Sequence, residues 1–212
     1  MDGTDWVVDK LAGNKDIEIL GRTPENLLSV RWRGDYTFNV AVLGVKNVID
    51  LTDVEPLFLG TNKPQLVINV PSKTLWSGAA IDHLHEESAS FGTFGDISRA
   101  ASTGDAGSFR DKDMGYFITM LSQHGNVASV SYVYDKVFRA NRRTGTSLVV
   151  AISDAYNMSA EDVRNARSQF GEFDVIIKAS SYGSITNQAE AAAQSMGAQA
   201  LTYGELMRRL AN

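Results

Sequence analysis

FDVIIKASSYGSITNQAEAAAQSMGAQALTYGELMRRL, residues 173–210, decides the fold. Phe173–Lys178 is a short, nearly unbroken apolar run, the pattern of a strand covered on both faces. A small polar loop, SSYGSIT, leads into the alanine-rich stretch Asn187–Met196, whose composition favours helix and which Gly197 stops. Ala198–Leu201 makes a second short strand, and Thr202 with Glu205 three residues on forms a capping box for a helix through Leu210. Strand, helix, strand, helix at this spacing implies right-handed parallel crossovers.

Working outward, Ser147–Ser153 is another continuous apolar strand, and Ser159 with Asp162 marks a helix start. Phe109–His124 reads as a helix with Met114, Phe117 and Leu121 inward, and Val127–Tyr132 as a strand. Residues 133–143 fit either a helix or a continued strand that turns at Asn141–Gly145, and both stay open. Near the amino terminus Leu28, Val30 and Trp32 alternate with polar residues. The alternation resumes at Tyr36, Phe38, Val40 and Val42 after Gly34-Asp35, which is a β-hairpin pattern.

Before the hairpin, Thr4 caps a first helix with Trp6, Val7 and Leu11 inward, ended by Gly13. After it, Gln65–Val70 is an apolar run closed by Pro71, and Ala80, Ile81 and Leu84 space a helix from Trp76 to about Ser90. The Gly- and Ser-rich stretch 91–108 then loops around a short helix. The fold expected is a single α/β domain over residues 1–212. Its mixed sheet joins an N-terminal antiparallel hairpin to a C-terminal strand-helix-strand-helix parallel part, with helices on both faces.

Composition narrows the chemistry. The chain has no cysteine, which excludes disulfides, thiolate nucleophiles and cysteine-ligated metals. MDGTDWVVDK shows no basic segment before an apolar run, and no stretch nears the roughly 18 apolar residues of a membrane span, so a cytoplasmic protein without a membrane partner is expected. A formal charge of −5 disfavours non-specific attraction to a polyanion but leaves room for a local basic patch. No self-similar period of 20 to 50 residues suggests a solenoid.

Four groups of residues carry possible chemistry. Asp50, Asp53 and Glu55 lie between strands with Lys73 after the next one, a set that could hold Mg²⁺ and orient water at a phosphodiester, with Asp50 and Lys73 as the catalytic pair. Ser180, Ser181 and Gly183 sit between a parallel strand and a helix start, where free N–H groups favour an anion. Lys136, Arg139, Arg142 and Arg143 form a basic cluster able to meet nucleic-acid phosphates or an acidic protein partner. If that segment is helical, Arg139 shares a face with Arg142 or Arg143. His83 and His85 would point about 200° apart on a helix, which prevents a shared metal.

The order helix, antiparallel strands, helix, then strand-helix-strand-helix resembles the restriction-endonuclease-like, PD-(D/E)XK fold, and residues 173–210 resemble its closing segment. The resemblance implies nucleic-acid association, with Asp50 as counterpart of the first aspartate. Where the family has acid-x-lysine on one strand, this chain reads INVPSK, so the implied nuclease centre is incomplete or absent. Two other readings stay open: a small-molecule or nucleotide-binding enzyme on a Rossmann-like sheet using the SSYGS loop, and a structural or assembly protein without ligand. One sheet joining Leu28–Val42 to the strands near Ser147 and Phe173 favours the first reading; a separate parallel sheet favours the nucleotide-binding one.

Overall fold

The computed structural model describes residues 3–211, so the expected domain bounds at 1 and 212 fall just outside it. The class is α/β, with the chain divided into two compact units, Met1–Asp111 and Lys112–Asn212. No helix among the described residues is long and apolar enough to cross a membrane.

The first unit runs α1 (Gly3–Leu11), β1 (Ile17–Arg22), β2 (Leu28–Trp32), β3 (Tyr36–Val42), β4 (Val48–Ile49), α2 (Leu51–Val54), a 3-10 turn (Glu55–Phe58), β5 (Leu66–Asn69), β6 (Leu75–Trp76), α3 (Gly78–Glu86), β7 (Ser90–Thr93) and α4 (Asp96–Ser102). Its main sheet has the order β1-β2-β3-β5-β7. The first three strands are antiparallel neighbours and the last two are added in parallel. Val7 and Leu11 of α1 and Ile97, Ala100 and Ala101 of α4 pack on one face, against Leu28, Val30, Phe38, Val40, Leu66 and Ile68. Ala41 and Val67, one step along their strands, point to the opposite face and are also buried.

The second unit runs α5 (Lys112–Ser122), β8 (Val127–Tyr134), β9 (Val137–Arg142), β10 (Leu148–Ser153), α6 (Ala160–Phe170), β11 (Val175–Lys178), α7 (Asn187–Ser195), β12 (Gln199–Leu201) and α8 (Tyr203–Ala211). Its sheet has the order β8-β9-β10-β11-β12, again three antiparallel strands followed by two parallel ones. Phe117 and Leu121 of α5 and Leu206 and Leu210 of α8 cover one face. Val163 and Ala166 of α6 and Ala189, Ala192 and Ala193 of α7 cover the other, against Val137, Ala151 and Ile176.

The second unit repeats the first in most of its register, although the bulge of the first strand falls between Ile19 and Gly21 in one and between Val127 and Ser129 in the other. Ile17↔Trp32, Leu28↔Val40 and Val30↔Phe38 recur as Val127↔Arg142, Phe138↔Val150 and Ala140↔Leu148, a constant displacement of 110. From the fourth strand onward the displacement is 109: Val40↔Leu66 becomes Val150↔Val175, and Leu66↔Ser90 becomes Val175↔Gln199. The small Ile49↔Trp76 pairing returns as the bridge Met158↔Ile185. Helix caps follow the same register, with Asp50/Asp53 matched by Ser159/Asp162 and Ser77 by Thr186. One residue fewer between the third strand and the next helix accounts for the change in displacement.

Two expectations are corrected and one open alternative is decided. The hairpin Leu28–Val42 and the strands near Ser147 and Phe173 lie in separate sheets, and neither sheet is wholly parallel, because each has its own antiparallel trio. Residues 137–142 are strand, since β9 is hydrogen-bonded on both sides, by β8 and β10. The helix expected to reach Ser90 ends at Glu86; Ser88 has φ 57 and Ser90 opens β7 against β5.

Candidate functional site

The acidic group near Asp50 is helix-capping machinery. Asp50 caps α2, accepting hydrogen bonds from the Leu51 amide at 2.8 Å and the Ser77 hydroxyl at 2.8 Å. These donors, Ser77 foremost, lower its carboxyl pKa below the usual aspartate value. Asp53 closes the box by accepting the Asp50 amide at 2.9 Å and takes the Lys46 ammonium at 2.5 Å, and both hold its pKa down. Glu55 is exposed at the start of the 3-10 turn.

Lys73 lies in the turn before β6, and no ion pair joins it to Asp50 among the described residues. In the β4–β6 pairing Val48 faces Leu75 and Ile49 faces Trp76, which sets Ser77 rather than Lys73 beside Asp50. Among the described residues no three His, Asp or Glu side chains are placed to hold a metal ion. Asp53 meets the Asp50 amide through one carboxylate oxygen and the Lys46 ammonium through the other, and Asp50 Oδ1 takes the Leu51 amide and the Ser77 hydroxyl. His83 and His85 engage different rings, Phe58 edge-on at 5.4 Å and Phe91 at 6.2 Å. Burial, with Arg110 nearby, lowers the His85 pKa to about 4.

The basic cluster is spread along a strand rather than gathered on a helix. Lys136, at the amino end of β9, pairs with Asp154. Arg142 is a turn staple: its Nε donates to the Thr146 carbonyl at 2.6 Å and its guanidinium lies over Gly145, where a Cβ would meet Nη2 at 2.6 Å. Arg139 and Arg143 are exposed and share a strand face, with Arg142 on the other. Seven residues separate Lys136 from Arg143, roughly 23 Å of extended chain, so the four form no single patch.

The loop after β11 is built around a side chain that the sequence reading passed over. Lys178 ends β11 and is only 3% exposed. Its ammonium donates to the carbonyls of Ser180 and Tyr182. Those carbonyls solvate a buried cation that no carboxylate reaches among the described residues. Ser180 is further occupied, its hydroxyl accepting the Tyr182 amide at 3.1 Å, while Ser181 and Gly183 are exposed. Gly183, at φ 77, lies so close to the preceding loop that a Cβ would stand 1.9 Å from the Tyr156 carbonyl oxygen. Asn157 Oδ1 ties the same two loops together by accepting the Ser184 amide at 2.9 Å. The clue in the sequence is a charged residue closing an apolar strand, where a solvated surface lysine is the ordinary expectation.

Tyrosines surround this edge. Six of the seven tyrosines belong to the second unit. Tyr203 opens α8 and meets Tyr116 of α5 edge-on at 6.4 Å. Burial first, then the nearby Tyr116, Asp113 and Asp154, raises the Tyr203 pKa. The first unit has the same ring contact without hydroxyls, Trp6 against Phe94 at 5.2 Å. No protein-family model, curated protein or solved structure matches the chain.

Proposed function

We propose that the chain is a nucleic-acid-associated module of restriction-endonuclease-like architecture without a nuclease centre, and that the open face of β8–β9 meets the phosphate backbone. The observation that carries this is the loss of acid partners between the two units. In the first, Arg33 is neutralised by Asp16 at 3.3 Å and Arg31 lies 3.7 Å from Glu18. In the second, Arg143 keeps the backbone bond to residue 126, but that residue is Asn126, whose side chain holds Thr144 instead. Asn141 faces Ser129, and Arg139 stands where the first unit has Ser29. Two arginines therefore lie exposed on a face of serine and asparagine with no carboxylate bound to them among the described residues.

The architecture supports the same reading. Each unit alone follows the helix, antiparallel strands, helix, strand-helix-strand order on which the resemblance rests. No strand among the described residues carries acid-x-lysine, so the reading is of binding without hydrolysis. Arginine on such a face contacts phosphate oxygens irrespective of sequence and displaces counterions.

Titration of labelled DNA and RNA at two salt concentrations tests it. Wild type binds at low salt, and Arg139→Ala/Arg143→Ala flattens the salt dependence by roughly 1.5 to 2 slope units for two lost contacts. Arg31→Ala/Arg33→Ala, in the neutralised face of the first unit, leaves the slope unchanged. Absence of wild-type binding at low salt overturns the proposal.

A further inference from the structure

Of the four strands at the sheet edges, β7 and β12 are short, with four and three residues, and β1 is interrupted by a register shift at Ile19/Gly21. β1 also carries Glu18 and Arg22, and Arg22 reaches Asp5 of α1 at 2.5 Å, a charged clasp at the edge. Short length, charge and irregularity are the usual protections of an edge against pairing with another strand. β8 has eight residues, VASVSYVY, with no charge, glycine or proline. Its own register shifts lie at its two ends and leave Ser129–Tyr132 regular. Among the described residues β9 is the only strand paired with Ser129, Val130 and Ser131, and no other element bonds to their backbone.

The difference extends into the covering helix. Residues 114–134, which run from α5 through β8, hold no Asp, Glu, Lys or Arg in a chain that is 21% charged, whereas the matching residues 4–24 hold seven. At the displacement of 110, Asp5 becomes Gly115 and Arg22 becomes Tyr132, so the clasp has no counterpart. Glu18, opposite Arg31, is replaced by Ser129, opposite Asn141. Within α5, Phe117 is buried in the core and Tyr116 leans on Tyr203 of α8. Ile118 therefore points to the other flank, about 200° from Tyr116 around the helix axis, and Gly115 and Ser122 border it. Because α5 packs on β8 while α8 packs on β11 and β12, that flank lies at the open edge.

We infer that this uncharged edge is a self-association surface, on which β8 of a second copy pairs antiparallel and doubles the five-stranded sheet about a two-fold axis. Two copies of formal charge −5 repel each other, so close approach requires a region from which charge is absent. With Ser131 on the axis, Val130 of each copy stands opposite Tyr132 of the other, a β-branched residue against an aromatic one. Both point to the face that α5 covers, so the pairing keeps the two faces of the joined sheet in register. The same operation brings the uncharged flanks of two α5 helices side by side. An edge and a helix flank together give the larger contact that a lasting interface needs.

Sedimentation equilibrium of the full chain over a concentration series tests the inference. Wild type passes from monomer to dimer as concentration rises, and amide hydrogen exchange within β8 slows in step. Gly115→Asp/Ser122→Asp and Gly115→Lys/Ser122→Lys each set like charges on the two helix flanks. Both positions accept a side chain, since Ser122 is exposed and a Cβ at Gly115 meets nothing within 4 Å. Each variant raises the dissociation constant roughly ten-fold or more, while the circular dichroism of the monomer is unchanged. The lysine pair lowers the net charge and still weakens the dimer, which separates local from overall repulsion. An equimolar mixture of the two variants regains the dimer, because each flank then meets its opposite charge. A wild type that stays monomeric at every concentration, a dimer that neither variant weakens, or a mixture that fails to regain it overturns the inference.

Discussion

The two units share one plan and differ in what they place on it. Strand order, register, bridge positions and helix caps recur at displacements of 110 and 109, so backbone hydrogen bonding and core burial are common to both. The differences lie in particular side chains: ion-paired arginines against arginines with no carboxylate partner among the described residues, Trp6–Phe94 against Tyr116–Tyr203, and buried Asn69 against buried Lys178 at the end of the fourth strand. The shared part is what holds a five-stranded mixed sheet together, and the divergent part is where a function can reside.

The comparison is most sharply tested in the core. Ile176 is fully buried in a strand covered on both faces, and Val67 is its counterpart. Ile176→Ala should cost about 2–5 kcal/mol in chemical denaturation followed by circular dichroism. Val67→Ala should cost less, because a smaller cavity is left. An unchanged midpoint for Ile176→Ala would break the equivalence of the two fourth strands.

A middle-sized effect separates the units by pH. His85 has a folded pKa of about 4, depressed from 6.5 by burial, so the unfolded chain binds the proton first. Stability from this source is complete above about pH 6.5, falls as pH drops toward 4, and changes no further below that. The second unit has Gln194 in the matching helical position. His85→Gln should therefore flatten the acid limb between pH 6.5 and 4 in denaturation profiles; an unaltered limb would place the titrating group elsewhere.

The smallest effect should be the same in both halves. Thr93 and Thr202 each give a hydroxyl to an acid three residues on, Asp96 at 2.8 Å and Glu205 at 2.7 Å. Thr93→Ala and Thr202→Ala should each cost about 1 kcal/mol, the net worth of one hydrogen bond. A difference of several-fold between them, read by thermal melting, would show that the two hydroxyl–carboxylate contacts are not equivalent.

Much of the second unit was legible because its strands are apolar runs and its helices announce their caps: Ser147–Ser153, Phe173–Lys178, Ser159/Asp162 and Thr202/Glu205 were all readable. The hairpin Leu28–Val42 was readable by alternation. β1 and β7 were not. Gly21 and a register shift interrupt the first, and SFGT becomes a strand only by pairing with β5, a tertiary cause. At the site, charge density grouped Lys136, Arg139, Arg142 and Arg143, but their spread along β9 follows from its pairing with β8 and β10, and Asp50 meets Ser77 rather than Lys73 through the β4–β6 pairing. The repeat itself was missed because its period far exceeds 20 to 50 residues and few identities survive. Setting TFGDISR, residues 93–99, beside TYGELMR, residues 202–208, would have exposed it.

Such constant register makes the chain a donor of its own spare parts. Residues 66–101 and 175–210 begin at the same point of the fourth strand, span the same helix and fifth strand, and end in the same last helix, with no insertion between them. Exchange of the two segments between the halves should therefore keep the strand partners in register. Two reciprocal chimeras would then carry the tyrosine at position 182 of the native chain, and the lysine at 178 that steadies it, into a context evolved without them.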